Sequence, residues 1–270
     1  MSSAYIRKLL KAFKQLMLVL VVLCICFAGV KVQAKKHKPG WYMSKKGRVY
    51  YYDENGDKVT KKNMQIGKKY YYFDEKGMQH VGWIKYKGRY YYYNIAPKKK
   101  GYRVCSKTIN GIKLDSKGRA VNNKDKARIL AEANTIVFSI TNFKMNQKKK
   151  NRACFMYIRD KMQWRNLTGF KSVKNWDRYY ASYAILKGYG DCYSGGCGFA
   201  YLATAAGAKK VYAASSGGHG WAVIGDRYYD PNWSWISKSV DKCFAVPKSR
   251  CGYGGTPNWA KNGKYINRVD

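Results

Sequence analysis

Residues 188–230 read GYGDCYSGGCGFAYLATAAGAKKVYAASSGGHGWAVIGDRYYD and divide into three parts with different local grammar. From Cys192 to Ala206 small and apolar residues predominate, behind a Gly190-Asp191 pair with the character of a turn and a helix cap. A short β-like run around Val211 follows. The last part, from His219 to Asp230, alternates as two strands around a Gly225-Asp226 turn. A cysteine therefore opens a helix, a histidine opens a strand, and an aspartate closes the next strand. A thiol in the first turn of a helix feels the positive end of the helix dipole, which favours the thiolate.

The turn sets a register. With Gly225-Asp226 at its centre, Ile224 pairs with Arg227 and Trp221 falls opposite Asp230. His219 shares a face with Trp221, so Asp230 is its diagonal neighbour, about 7–8 Å away between backbones and within side-chain reach. Asp226 lies at the far end of the hairpin. The chain has three histidines, His37, His80 and His219, and only the last stands beside this cysteine segment. Cys192, His219 and Asp230 are thus the candidate nucleophile, base and orienting acid of an acyl-transfer site. The bland alternative is that Cys192 is a buried structural thiol or half of a disulfide, and Cys197 is a competing thiol. Gly195, Gly196 and Gly198 each cost about 1 kcal/mol of helix propensity. They predict either a loose helix start or a close approach of its backbone to a neighbour.

Upstream, Ile129, Leu130, Ala133, Ile136, Val137 and Ile140 share one face of a helix expected from about Asp125 to Asn142. The basic stretch Lys144–Arg152 reads as an interruption, followed by a helix over Cys154–Trp164. A third, carrying Tyr179, Tyr183, Ala184 and Leu186, ends at Gly188. Helices followed by short strands predict an α+β domain over residues 122–270. Gly190-Asp191-Cys192-Tyr193-Ser194, Phe199 to Leu202, Ala205-Ala206-Gly207, His219-Gly220-Trp221 and Tyr228-Tyr229-Asp230-Pro231 together resemble the bacterial transglutaminase-like superfamily. The spacing to Gly207 matches that pattern from Cys192 and not from Cys197. The resemblance implies a papain-like core of helices packed on an antiparallel sheet, with Cys192, His219 and Asp230 as its triad. It also implies attack on an amide carbonyl through a thioester, with either water or a lysine amine as acceptor.

The region before it is repetitive. Gly47-Arg48-Val49-Tyr50-Tyr51-Tyr52-Asp53 is followed by Gly67-Lys68-Lys69-Tyr70-Tyr71-Tyr72-Phe73-Asp74 and Gly88-Arg89-Tyr90-Tyr91-Tyr92-Tyr93-Asn94, with a degenerate copy at Gly111–Gly118. The leading glycines lie 20 and 21 residues apart, a period that marks a stacked array. Each copy reads as an aromatic β-hairpin, too small to stand alone, so 35–121 is expected to be a solenoid-like series. Alternate tyrosines must face opposite ways, and outward rings can stack on sugars or hold cations. Trp41, Tyr51, Tyr71, Trp83 and Tyr91 are the candidate ligand-binding aromatics. With Gly40-Trp41 and Gly82-Trp83, these copies resemble the choline- and glucan-binding cell-wall repeats of Gram-positive bacteria. The tryptophan that precedes the tyrosine pair in that family is here Val49, Tyr70 and Tyr90. The resemblance therefore implies attachment through a glycan or an anionic wall polymer as much as through choline.

Lys and Arg number 53 against 15 Asp and Glu, a formal charge of +38, which favours polyanionic partners. Arg7, Lys8, Lys11 and Lys14 precede an apolar run from Leu16 to Val30, and Val32-Gln33-Ala34 offers a cleavage site. Residues 1–34 thus read as a secretory signal, leaving no membrane span once cleaved, with a retained anchor as the rival. Export makes nucleic acid a poor target despite the charge. Beyond the leader lie Cys105, Cys154, Cys192, Cys197, Cys243 and Cys251, an even set compatible with disulfides, of which Cys243–Cys251 is the expected bridge. No zinc spacing, phosphate-cradling loop or dinucleotide fingerprint appears, and the acyl-transfer chemistry needs no cofactor. The expectation is a secreted, wall-associated cysteine enzyme acting on wall peptides or surface proteins; the alternative is a non-catalytic glycan-binding adhesin.

Overall fold

The computed structural model describes residues 13–15, 17, 36–60, 63–167, 169–247, 249 and 264–270. Most of the expected leader, and Cys251 with its expected bridge to Cys243, lie outside the described residues. Among the described residues no helix is long and apolar enough to cross a membrane.

The aromatic copies form hairpins. Gly40–Met43 (β1) pairs with Val49–Tyr52 (β2), placing Trp41 opposite Tyr51. Met64–Ile66 (β3), Lys69–Phe73 (β4) and Gln79–His80 (β5) make a three-stranded unit. Gly82–Tyr86 (β6) pairs with Arg89–Tyr93 (β7), and Thr108–Ile109 (β8) with Ile112–Lys113 (β9). The repeated Asp-x-x-Gly is a turn device. Oδ1 of Asp53 accepts from the main-chain N–H groups of Asn55 and Asp57 at 3.0 and 2.9 Å. Asp74 does the same for Lys76 and Met78, and Asp115 for Lys117 and Arg119. The glycine closing each turn, Gly56, Gly77 or Gly118, has φ of 75–77°, where a side chain would be strained.

Lys124–Ile140 (α1) and Gln147–Lys161 (α2) follow. The interruption is shorter than expected: it covers residues 141–146, and α2 starts inside the basic stretch. Asn146 caps it by accepting from the N–H of Lys149 at 2.9 Å, and lysines whose side chains reach solvent are good helix formers. Gln163–Trp164 (β10) then pairs in parallel with Tyr189–Gly190 (β11). Between them, Trp176–Ser182 (α3) runs into one π-helical turn, Tyr183–Lys187, which stops at Gly188 with φ 74°. Cys192–Ala205 (α4) is buried along almost its whole length, as expected of a helix apolar on every side. It packs on an antiparallel sheet of Val211–Ser215 (β12), Gly220–Ile224 (β13), Arg227–Tyr229 (β14), Val246–Pro247 (β15) and Tyr265–Arg268 (β16), in the order β15-β14-β13-β12-β16. Pro231–Ile236 (α5) follows β14. The molecule is α+β, with helices on an antiparallel sheet and an N-terminal hairpin region.

The hairpins do not hang from a linker. Val59, Tyr71 and Phe73 form a small core of their own, but Trp83, Tyr92, Val104, Ile112 and Leu114 belong to the same apolar cluster as Leu130, Phe155 and Phe199. The seam is also polar and specific. Asn134 donates to the Val81 carbonyl at 2.7 Å, and Arg48 donates to the Phe138 carbonyl at 2.8 Å. His80 stacks on the Phe138 ring with centroids 3.6 Å apart.

Candidate active site

Cys192 is the first residue of α4 and half-buried. The preceding residue, Asp191, caps the helix by accepting from the N–H of Ser194 at 3.0 Å. This orients the helix so that the thiol sits at its open end, where the main-chain N–H groups of the first turn have no intrahelical acceptor. Burial pushes the Asp191 carboxyl up, against the hydrogen bonds it receives from Ser194.

His219 stands immediately before β13. Its N–H donates to Ser216 Oγ at 3.2 Å and its carbonyl accepts from the N–H of Ser216 at 3.1 Å, so a tight turn holds it. Tyr193 anchors that turn to α4 by donating its hydroxyl to the Gly217 carbonyl at 2.7 Å. In the hairpin, Ile224 pairs with Arg227, Val223 with Tyr228 and Ala222 with Tyr229, which brings Asp230 back beside the imidazole. Nε2 of His219 donates to Oδ2 of Asp230 at 2.6 Å, with side chains only 8% and 3% exposed. The other carboxylate oxygen accepts from the N–H of Trp233 at 2.9 Å, so Asp230 also caps α5. Asp226 is exposed in the turn.

The Cys192 side chain hydrogen-bonds to the same imidazole. Since Nε2 is taken by Asp230, the thiol faces Nδ1. Burial by itself would push the histidine down, but the charge and hydrogen bond of Asp230, joined by those of Cys192, hold it well above its ordinary value. The imidazole is held between a carboxylate and a sulfur.

The helix glycines explain how the groups come so close. A Cβ on Gly196 would meet the Trp221 backbone at 2.7 Å, and one on Gly220 would meet Cα of Tyr193 at 2.6 Å. Helix α4 and strand β13 therefore lie backbone against backbone at the two residues flanking the site. Gly198 gives the same intimacy with Ala184 and Ile158. The glycines mark close approach, not a loose helix start.

Cys197 is 1% exposed and its thiol is pushed well up by burial, which removes it as a nucleophile. Cys154 is fully buried, with burial raising its thiol to about 12. Cys105, Cys154, Cys192 and Cys197 all carry free thiols.

Of the expected ligand-binding aromatics, Trp41, Tyr51 and Tyr71 cluster, with Trp41 centred 5.0 Å from Tyr51 and 4.9 Å from Tyr71, while Trp83 and Tyr91 lie on a different hairpin. Trp83 is 1% exposed in the main core, with its indole N–H donated to Asn110 at 2.8 Å. Tyr71 is 3% exposed and donates its hydroxyl to the Lys99 carbonyl. Both are packing residues, because the inward position of the alternating pattern falls on them. Trp41 and Tyr51 are half-buried at the rim of the small hairpin core, edge-to-face at 5.0 Å. The outward ring of Tyr91 is shared by the chain's own Arg103, whose guanidinium lies 5.6 Å from it and 4.3 Å from Tyr70. Such contacts use the cation-binding face that an external ligand would need. A cleft of about 490 Å³ does lie in this region, between Tyr72, Met78 and His80 on the hairpins and Glu132 and Thr135 on α1.

No family model matches the sequence, and no curated protein matches it. Solved structures match about a third of the chain. Choline-binding protein F from Streptococcus pneumoniae is 27% identical over 32% of this chain and 27% of its own, with a TM-score of 0.28. The choline-binding domain of Spr1274 from the same organism is 24% identical over 32% of this chain and 96% of its own, with a TM-score of 0.27. The multimodular pneumococcal cell-wall endolysin of phage Cp-1 is 27% identical over 33% of this chain and 27% of its own, also at 0.27. The chain thus spans about a quarter of the length of choline-binding protein F and of the endolysin.

Proposed function

We propose that this chain is a wall-associated cysteine acyl-transfer enzyme of transglutaminase-like type, with Cys192 as nucleophile, His219 as base and then acid, and Asp230 as the group that orients the imidazole. The observation that carries the reading is the buried 2.6 Å contact between His219 and Asp230 on a ring that also meets the thiol at a helix N-terminus. A buried imidazole so paired keeps one tautomer and one orientation, and its positive charge stabilises the thiolate. In the reaction the Cys192 sulfur attacks an amide carbonyl carbon, and the main-chain N–H of Cys192 faces the developing oxyanion. His219 passes a proton to the departing amine, leaving a thioester on Cys192. Water, deprotonated by His219, or a lysine amine then takes the acyl group and frees the sulfur. The substrates in this reading are wall peptides or surface proteins. The hairpins hold the enzyme to a glycan or an anionic wall polymer.

Limiting iodoacetamide at neutral pH, followed by mapping of the label, tests the assignment. Cys192 should be alkylated ahead of Cys105, and His219→Ala should slow that reaction at least a hundredfold, the scale of a lost acid–base partner. Slow and indiscriminate labelling would leave a non-catalytic adhesin as the better account.

A further inference from the structure

Lysine is almost never fully buried unless paired, because an ammonium taken out of water loses hydration that only a counter-charge restores. Lys126, in the first turn of α1, breaks that rule. It is 6% exposed, yet its side chain makes no hydrogen bond or ion pair among the described residues. Burial pushes its ammonium down, and the charge of Asp177, the largest opposing influence, does not make up the loss. Asp177 is engaged elsewhere. Its Oδ2 accepts from the Tyr201 hydroxyl at 2.9 Å and its Oδ1 from the side-chain amide of Asn267 at 2.7 Å.

Lys126 lines a cleft of about 380 Å³ where the first turn of α1, the start of α3 and β16 meet. Lys174, Arg178 and Arg268 line it too. Arg178 is met by Asp125 at 3.1 Å and Arg268 by Asp270 at 3.2 Å. Lys174 is exposed and has no such partner among the described residues. Asp125, Asp177 and Asp270 thus each have donors of their own, and two ammonium groups, one of them buried, are left over. Four cationic side chains on one cleft exceed what the two oxygens of a carboxylate can meet. A phosphate, with more oxygens, suits both guanidinium forks and ammonium groups. The volume is at the small end for a ligand site, enough for one phosphate and a short attached group.

We propose that this cleft binds a phosphate group, with Lys126 as its buried counter-charge and Lys174, Arg178 and Arg268 around the rim. The phosphate is borne either by a small monoester or by one diester link of an anionic polymer. The site is independent of the chemistry at Cys192 and stands whether or not that residue is a nucleophile. It also lies on the helical part of the chain, so an anion need not be held by the hairpins.

Calorimetric titration of the full chain with inorganic phosphate, at fixed ionic strength, tests the site. One saturable site is expected. Lys126→Met should weaken it about tenfold or more, the scale of a charge-assisted hydrogen bond, and Lys174→Gln should weaken it to a smaller degree. Arg128→Gln removes the same charge from an exposed position on the same helix and should leave binding unchanged. Without phosphate, Lys126→Met should melt no lower than the parent, since it removes an unpaired buried charge. Glycerol 3-phosphate and glycerophosphoglycerol, a monoester and a diester, separate the two sources, and the tighter ligand names the class. Unsaturable binding, or a loss that Arg128→Gln shares equally, would overturn the site and leave only general attraction to a chain of charge +38. A Lys126→Met variant that melts well below the parent but binds phosphate as well would overturn it in favour of a structural ammonium held by Asp177. If that variant does not fold, Lys174→Gln against Arg128→Gln decides: equal binding by the two overturns the site.

Discussion

Among the described residues two histidine–aspartate pairs stand out, and they behave oppositely. In the hairpin region Nε2 of His80 meets Oδ2 of Asp74 at 3.0 Å, with side chains 20% and 24% exposed. In the helical region His219 meets Asp230 at 2.6 Å, with 8% and 3% exposed. Burial pushes both histidines down. At His80 burial prevails, aided by the nearby Arg48 guanidinium, and the histidine lies below its ordinary value. At His219 the Asp230 charge and the sulfur of Cys192 outweigh burial, and it lies well above. The same two side chains are thus shifted in opposite directions. Arg48 adds to the downward push of burial at His80, whereas Asp230, joined by Cys192, outweighs burial at His219.

The two aspartates should part company most in stability. Asp230→Ala leaves a buried imidazolium without its partner and α5 without its cap, a loss of about 3–5 kcal/mol. Asp74→Ala removes two turn hydrogen bonds and the contact with His80 at a wetter site, and should cost about 1–2 kcal/mol. Urea denaturation of the two variants measures the difference, and equal losses would break the comparison.

Gly196→Ala tests the close approach that only the second pair has. Its Cβ would press on the Trp221 backbone, which cannot yield as a flexible side chain could. Overpacking of this kind costs about 1–3 kcal/mol. The alkylation rate of Cys192 should fall further than stability does, because the helix carrying the thiol moves away from the histidine. Gly88→Ala, in a hairpin turn with φ 73° and open space around it, should cost about 1 kcal/mol from backbone strain and leave the thiol's reactivity alone.

The smallest effect sharpens the contrast by its sign. His219 has a raised value in the fold, so its contribution is complete below the unfolded histidine value and is lost as pH rises through the folded one. His80 has a lowered value, so its contribution is present above the unfolded value and is lost as pH falls through the folded one. Melting temperature against pH, for His219→Gln and His80→Gln beside the parent, should therefore converge with the parent at opposite ends: His219→Gln in alkali and His80→Gln in acid. Convergence at the same end would refute the assignment of opposite charge states.

Much of this arrangement could be read locally. Period-two alternation and a two-residue turn predict the register that puts Asp230, and not Asp226, beside His219. The 20-residue spacing and the Asp-x-x-Gly turns specify hairpins, since only an Asx-type turn with a left-handed glycine uses those residues at that spacing. The start of α2 lies before the point that polarity suggests: a run of lysines has the composition of a loop, although propensity and the Asn146 cap favour a helix.

Short-range rules therefore determined which elements form, where they turn, and which cysteine, histidine and aspartate could share a face. Only the tertiary structure decided that the hairpins share a core with the helices, that Trp83 lies inside it and Tyr71 inside the smaller hairpin core, and that the helix glycines serve contact. It also decided which histidine is pushed up and which down. Burial and proximity depend on residues far apart in the chain: the His219 imidazole meets the Asp230 carboxylate and a sulfur 27 positions away, and that approach depends on two glycines that look, in sequence, like defects.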